Sequence, residues 1–164
     1  SSIGQNCKIS GEVSNSIFLG YSNKSHDGFI GDSYVSTWVN LGAYTTTSNL
    51  KSNYSPIKIQ HEDQTQNTSQ TFLGSIIGDY VKTSIGTTLN TGSLVSIGST
   101  LFNTGFHNKY LPPFTWGSPG NYTKIKLKEL LETTKIMMKR RNMTLNESDK
   151  ELITYIYNEE TKKN

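Results

Sequence analysis

The sequence is short of several things at once, and each shortage removes a class of protein. There is one cysteine, Cys7, among 164 residues. A disulfide scaffold is excluded, and a lone thiol suits a reducing cytoplasm. No apolar run is long enough to cross a bilayer as a helix, and no signal-peptide pattern opens the chain. The first residue is Ser1 rather than methionine. That start reads as an excised fragment with functional parts upstream. An excess of one charge is also missing, since 16 basic and 13 acidic residues leave a formal charge of +3. Lys124, Lys126, Lys128, Lys135, Lys139, Arg140 and Arg141 gather among helix-forming residues near the C-terminal end. A solvated helix face accounts for them better than a nucleic-acid surface does.

What the chain has in quantity is serine, threonine and asparagine, about a third of all residues. Such a composition suits disorder unless apolar residues recur within it. They do recur, every six residues. From Ile77 the chain divides into IGDYVK, TSIGTT, LNTGSL and VSIGST, then LF. Ile77, Thr83, Leu89, Val95 and Leu101 lead these units, and Val81, Thr87, Ser93 and Ser99 hold the fifth places. Ile3 and Ile9, with Cys7 and Val13 at fifth places, open the same frame. Ile30, Val35 and Leu41 continue it with one step of five.

Neither a helical period nor simple alternation produces this spacing. Six residues make one short strand and a corner, and three such units close a triangular coil. One aliphatic residue per unit points inward. A small residue sits beside it where the coil narrows, and Gly, Asn and Asp supply the corners. The fold expected is mainly β, a left-handed parallel β-helix of hexapeptide repeats with roughly five turns. A β-sandwich would need alternation and hairpin turns that the sequence lacks.

The frame breaks over residues 44–70, read as a loop extruded from one corner with a short strand at Ile57 to Ile59. A long ordered loop on a rigid coil usually carries function. The coil is expected over residues 1–110, an extended linker over 111–123, and two α-helices over 124–160. Ile125, Leu127, Leu130, Leu131 and Met138 mark the first helix. The second is expected to start at a capping box, Thr144 with Glu147 or Ser148 with Glu151, and to carry Leu152, Ile153 and Ile156 on its apolar side.

Several motifs are more specific than the period. The chain contains YSNKSHDGFIGDS (21–33), WVNLGAYT (38–45), SNLKSNY (48–54), FNTG (102–105) and PPFTWG (112–117). Hexapeptide repeats with a corner loop resemble acyltransferases that use acetyl-coenzyme A (acetyl-CoA). The stretch from His26 to Asn49 resembles the acetyltransferase half of the bifunctional N-acetylglucosamine-1-phosphate uridyltransferases. The motifs together resemble sugar nucleotidyltransferases of Bacteroidetes-type bacteria over nearly the whole chain. That resemblance implies a nucleotidyltransferase domain ahead of residue 1.

The same resemblance implies a chemistry and a site. His26 stands where those enzymes keep the general base that deprotonates the sugar amine, and imidazole ordinarily titrates near neutral pH. Asn40 and Asn49 match the asparagines that hold the sugar and the acetyl region. Ala43 and Tyr44 stand at the acetyl-CoA site, where a backbone N–H meets the developing thioester oxyanion. Lys24, Lys51 and Lys58 are placed to offer charge to a sugar phosphate. Phe29 replaces a substrate-contacting tyrosine, and Tyr44 replaces a glycine. A family lysine aligns with Ser14, and a family arginine falls before residue 1. The partners implied are acetyl-CoA, an amino-sugar phosphate and two further copies of the chain in a threefold trimer. The alternative is a non-catalytic trimerising scaffold for an absent nucleotidyltransferase domain.

Other features have plainer readings. His61 reads as a solvated loop residue and His107 as a contact with a neighbouring turn. A β-helix zinc enzyme needs histidines a few residues apart, which His26, His61 and His107 do not provide. The threonines do not recur on one face as an ice-binding row requires. Trp38 and Trp116 read as packing or interface residues.

Overall fold

The computed structural model describes residues 1–163. The chain divides into two units, residues 1–123 and residues 124–164. The first unit is a parallel β-helix.

Its first coil is β1 (Ser2–Gln5), β2 (Lys8–Ile9) and β3 (Glu12–Ser14). The second is β4 (Ile17–Gly20), β5 (Asn23–Lys24) and β6 (Phe29–Gly31). The third is β7 (Tyr34–Thr37), a single bridging residue at Asn40, and β8 (Thr46–Thr47). The chain then leaves the coil and forms the hairpin β9 (Lys58–His61) and β10 (Gln64–Asn67). It returns as β11 (Ser75–Ile77), β12 (Lys82–Thr83) and β13 (Thr88–Leu89). Then come β14 (Ser93–Val95), β15 (Thr100–Leu101), β16 (Tyr110–Leu111), β17 (Thr115–Ser118) and β18 (Asn121–Lys124).

The first face stacks β1-β4-β7-β11-β14-β16. Its pairings are all parallel. Its inward row is Ile3, Phe18, Val35, Ile77, Val95 and Leu111, each in register with the next. The second face carries β2, β5, Asn40, β12, β15 and β17. The third carries β3 with β6, and β8 with β13, closed by a bridge from Thr88 to Phe106. Ile77, Leu89, Val95 and Leu101 are all buried, as the sixfold spacing requires. Burying each such side chain stabilises the coil by about 1.5–3 kcal/mol.

The fifth places explain the abundance of small hydroxyls. At the corner entering the first face, each serine Oγ accepts the backbone N–H of the next coil. Ser16 donates to Ser1 Oγ at 3.1 Å, Ser33 to Ser16 Oγ at 3.0 Å, and Ser75 to Ser33 Oγ at 2.9 Å. Ser22 Oγ takes the Val39 N–H in the same way, at 3.0 Å. A buried N–H must find an acceptor, and here a hydroxyl short enough for the narrow corner supplies it.

Two boundaries differ from those read in the sequence. The extruded loop was expected over 44–70, but Thr45 and Thr47 are buried coil residues, and β8 pairs with β13. The excursion therefore begins after β8, and it is a folded ribbon rather than an open loop. Leu73 N–H bonds Asn49 carbonyl, Leu50 bridges Phe72, and Ile57 N–H bonds Gln70 carbonyl. The ribbon re-enters at Gly74, where a Cβ would lie 2.0 Å from the Gly31 carbonyl oxygen.

Residues 111–123, expected as a linker, supply strands instead. β16 and β17 pair in parallel with β14 and β15, which gives six strands on the first face. Leu111, Phe114 and Thr115 are buried there.

The second unit holds α1 (Leu127–Lys139) and α2 (Glu147–Lys162). Leu130, Thr134 and Met138 recur at helical spacing on the buried side of α1. The cap of α2 is neither expected box. Asn146 accepts the Asp149 N–H at 2.7 Å, which an Asx side chain does well from an extended N-cap backbone. Ile153 is buried on α2, whereas Leu152 is exposed. Among the described residues no helix is long and apolar enough to cross a membrane.

Candidate active site

The corner between the second and third faces builds the candidate site. In the second coil it carries His26, Asp27 and Gly28, and in the third Gly42, Ala43 and Tyr44 lie against them. Tyr44 N–H bonds Asp27 carbonyl at 2.7 Å. Gly28 is needed because a Cβ there would stand 2.3 Å from Thr45 carbonyl oxygen. One coil further on, Gly86 N–H bonds Ala43 carbonyl at 2.8 Å, and Ser84 N–H bonds Leu101 carbonyl at 2.8 Å. His26, Ala43, Ile85 and Asn103 thus follow one another along a single edge of the coil.

A groove of about 780 Å³ follows the same edge, lined by Gly42, Thr83, Ser84, Ile85, Phe102, Asn103 and Thr104. It begins in the coil next to His26. Ile85 is exposed there, and Phe102 packs edge-on against Trp116 at 4.6 Å between ring centroids. The result is an open trough with apolar and hydroxyl-bearing walls. Ile85, Phe102 and Asn103 were not singled out in the sequence as binding residues. The signal was available, because each follows Gly42 and Ala43 in the same frame position one or two coils later.

His26 is exposed at this corner. Phe29 follows it on the third face, with its ring over Gly31. A Cβ on Gly31 would meet Phe29 Cζ at 2.2 Å and Asn49 Nδ2 at 2.9 Å. Phe29 and Asn49 are therefore neighbours. Tyr44 is 62% exposed and takes a left-handed backbone, φ +60°. The structure thus gathers His26, Ala43 and Tyr44 at one corner, and Phe29 with Asn49 at the other end of the third face.

The remaining residues lie elsewhere. Asn40 is on the second face, where Asn23 Nδ2 donates to its Oδ1 at 3.3 Å. Lys82 is the next residue in its row, and burial pushes its ammonium below the usual lysine range. The Asn49 amide donates to Asp32 Oδ2 at 2.6 Å, and Asn15 donates to the other oxygen of Asp32 at 2.6 Å. Lys51 and Lys58 belong to the excursion. Lys51 Nζ donates to Pro56 carbonyl at 2.8 Å, and Lys58 is exposed on β9.

Lys24 departs furthest from its expected place. It is 1% exposed, and its Nζ donates to Ser10 and His26 carbonyls, both at 2.8 Å. A lysine spent on two backbone carbonyls of its own coil edge is not aimed at a sugar phosphate. The frame itself carries the sign of this, since six residues back from Ile30 is Lys24 and six further back is Phe18.

The other histidines are structural. His61 is exposed and meets the Tyr110 ring edge-on at 5.2 Å. His107 is buried, with Nδ1 3.0 Å from Tyr122 Oη. Among the described residues no group of three His, Cys, Asp or Glu side chains could hold a metal ion.

No family model matches the chain. It is 32% identical over 88 residues to a bifunctional sugar-1-phosphate nucleotidylyltransferase/acetyltransferase from Sulfurisphaera tokodaii, covering 54% of this chain and 21% of that protein. It is 34% identical over 90 residues to the bifunctional protein GlmU of Methanococcus aeolicus, covering 55% of this chain and 21% of that protein. The chain thus spans about a fifth of the length of the curated relatives it matches. Among solved structures, a maltose O-acetyltransferase from Clostridium difficile 630 aligns with a TM-score of 0.44 at 16% identity, over 76% of this chain and 68% of that one.

Proposed function

We propose that this chain is the acyl-transferring β-helix of a sugar-nucleotide-forming transferase, moving acetyl from acetyl-CoA to the amine of an amino-sugar phosphate. The observation that carries the reading is the shared edge. His26 stands at one end of it, and the groove runs from Gly42, beside Ala43, past Ile85 to Asn103. A rod-shaped donor lying in that groove would present its thioester to the histidine. The similarity to nucleotidylyltransferase/acetyltransferase proteins supports the same chemistry.

In this reading His26 accepts a proton from the amine as nitrogen attacks the thioester carbon. The C–N bond forms, the negative charge on oxygen meets a backbone N–H near Ala43, and the C–S bond breaks. The imidazolium then returns its proton to the departing thiolate. Phe29 and Asn49 would border the sugar, with Asn40 and Lys51 further out. Lys58 on the hairpin is the farther candidate for the phosphate. Phe29 and Tyr44 make glucosamine-1-phosphate a poor acceptor, so a related amino sugar is the expected substrate.

A threefold trimer belongs to this reading, and so does a cytoplasmic setting. The first face leaves Ile17, Leu19 and Tyr34 exposed on the outer side of β4 and β7, an apolar strip that a second copy would cover. A groove this open needs a second wall to enclose a ligand.

Calorimetric titration with acetyl-CoA tests the reading, with turnover measured on a panel of amino-sugar phosphates. His26→Ala should keep donor binding and lower turnover by about 10²–10⁴-fold. Turnover that survives the substitution removes His26 from the chemistry. Donor binding without turnover on any acceptor favours a second reading, a trimerising scaffold for a nucleotidyltransferase. The commitment of the Asn49 amide to Asp32 is the observation on that side.

A further inference from the structure

The interior of the second coil contains a charge where the fold calls for a hydrocarbon. On the second face the inward row runs Ile9, Lys24, Leu41, Thr83, Leu101 and Gly117. Lys24 fills an aliphatic place with its stem, and its ammonium ends beneath the corner. Gly11 makes room for it. A Cβ on Gly11 would lie 2.9 Å from Lys24 Nζ, 3.0 Å from Asp27 Cα and 3.2 Å from His26 carbonyl oxygen.

A buried ammonium is costly unless its donors are satisfied, and apolar replacement of buried charges is often neutral or stabilising. Burial pushes the Lys24 ammonium below the usual lysine range, against the opposing pull of Asp27. Stability is therefore a poor reason for a lysine here. Its two partners suggest a better one. Ser10 carbonyl belongs to the first coil and His26 carbonyl to the second, and one Nζ holds both at 2.8 Å. From the other side Tyr44 N–H holds Asp27 carbonyl at 2.7 Å. The two successive peptides that follow His26 are thus held, the first at its carbonyl by Lys24 and the second at its carbonyl by Tyr44.

We propose that Lys24 is a positioning residue, an internal strut whose ammonium fixes the corner from which His26 acts. Its catalytic consequence rests on the proposed function, while its effect on the corner does not. Lys24→Met keeps the stem and removes the donors, so the apolar row becomes continuous. The melting temperature of the Met variant should equal or exceed that of the wild type. Its kcat for acetyl transfer should fall at least tenfold, with KM for the donor unchanged, because the groove residues are untouched. A purely structural residue would lower stability and activity together. Such a joint fall, or an unchanged kcat, overturns the proposal.

Amide hydrogen exchange supplies the arm that needs no activity. In Lys24→Met, exchange of the Tyr44 amide, which bonds Asp27 carbonyl, should quicken at least tenfold, with residues 93–101 unchanged. Equal protection of the Tyr44 amide in both proteins overturns the strut. Should the wild type transfer no acetyl group, the proposed function fails and this arm alone decides the strut. Should the Met variant not fold, the wild-type protein decides by NMR. A Lys24 ammonium signal slow to exchange with water at neutral pH supports the strut, and its absence overturns it.

Discussion

The coils before the excursion and those after it follow one backbone plan with different interiors. After it, Ile77, Val81, Leu89, Val95 and Leu101 are buried aliphatics set four, eight, six and six residues apart, with Thr83, Thr87, Ser93 and Ser99 between them. Before it, a lysine, Lys24, is buried in an inward row, and an Asp32 carboxylate joins Asn15 to Asn49 at a corner. The later coils read as scaffold. The earlier ones break local rules, and breaks of that kind concentrate where function lies. His26, Phe29, Ala43 and Tyr44 are in the earlier coils, Asn49 stands where the excursion leaves them, and only the groove extends into the later ones.

Substitution at matched places tests this division. Leu101→Ala, in the regular part, removes a fully buried side chain and should cost about 2–5 kcal/mol of unfolding free energy in urea titrations. Lys24→Met, in the same inward row, should cost nothing. If both substitutions destabilise equally, the two interiors are not different in kind. Ser33→Ala should have the next largest effect. It strips the Ser75 N–H of its acceptor across the excursion, where the two parts join, and should cost about 1–3 kcal/mol. Phe29→Tyr and Tyr44→Gly restore the residues the family pattern carries. Each should raise transfer to glucosamine-1-phosphate severalfold in a coupled assay, without moving the unfolding midpoint. Unchanged rates on that acceptor would remove both residues from acceptor choice.

The same contrast explains what could be read in advance. The sixfold period was legible wherever aliphatic residues lead the units, so Ile77 to Leu101 located the coil and its inward row. The last coil was hidden by Pro112, Pro113 and the Gly117 to Gly120 segment, whose residue types suggest a linker. Phe114 hid it further, because a buried phenylalanine with φ +64° is not an ordinary corner residue. Thr45 and Thr47 were assigned to the loop because threonine gives no apolar signal, although register places Thr47 beside Leu89. For the site, the resemblance named His26, Phe29, Ala43, Tyr44 and Asn49, and the coil sets the first four on adjoining turns. It could not tell which way a lysine points. Lys24 satisfied both the motif and the frame, and only packing separates an outward phosphate ligand from an inward strut.

The smallest expected effect comes from the far end of the coil, where a histidine rather than a lysine occupies an inward place. His107 is 4% exposed, with Nδ1 on Tyr122 Oη, and Nε2 is a buried nitrogen with no hydrogen-bond partner. Burial pushes its imidazole below the ordinary value of 6.5. The unfolded chain therefore takes up a proton at this residue before the folded one does. Stability should fall as pH drops from 6.5 towards the lowered value, and no further contribution from His107 is expected below it. Burial also raises the Tyr122 phenol, which titrates far above this window and leaves the sign unchanged. Urea midpoints at pH 7.5 and 5.5 measure the effect. The wild type should lose stability at the lower pH, and His107→Gln should lose less. An equal loss in both proteins would assign the acid sensitivity to other groups and make this end of the coil as inert as the aliphatic rows beneath it.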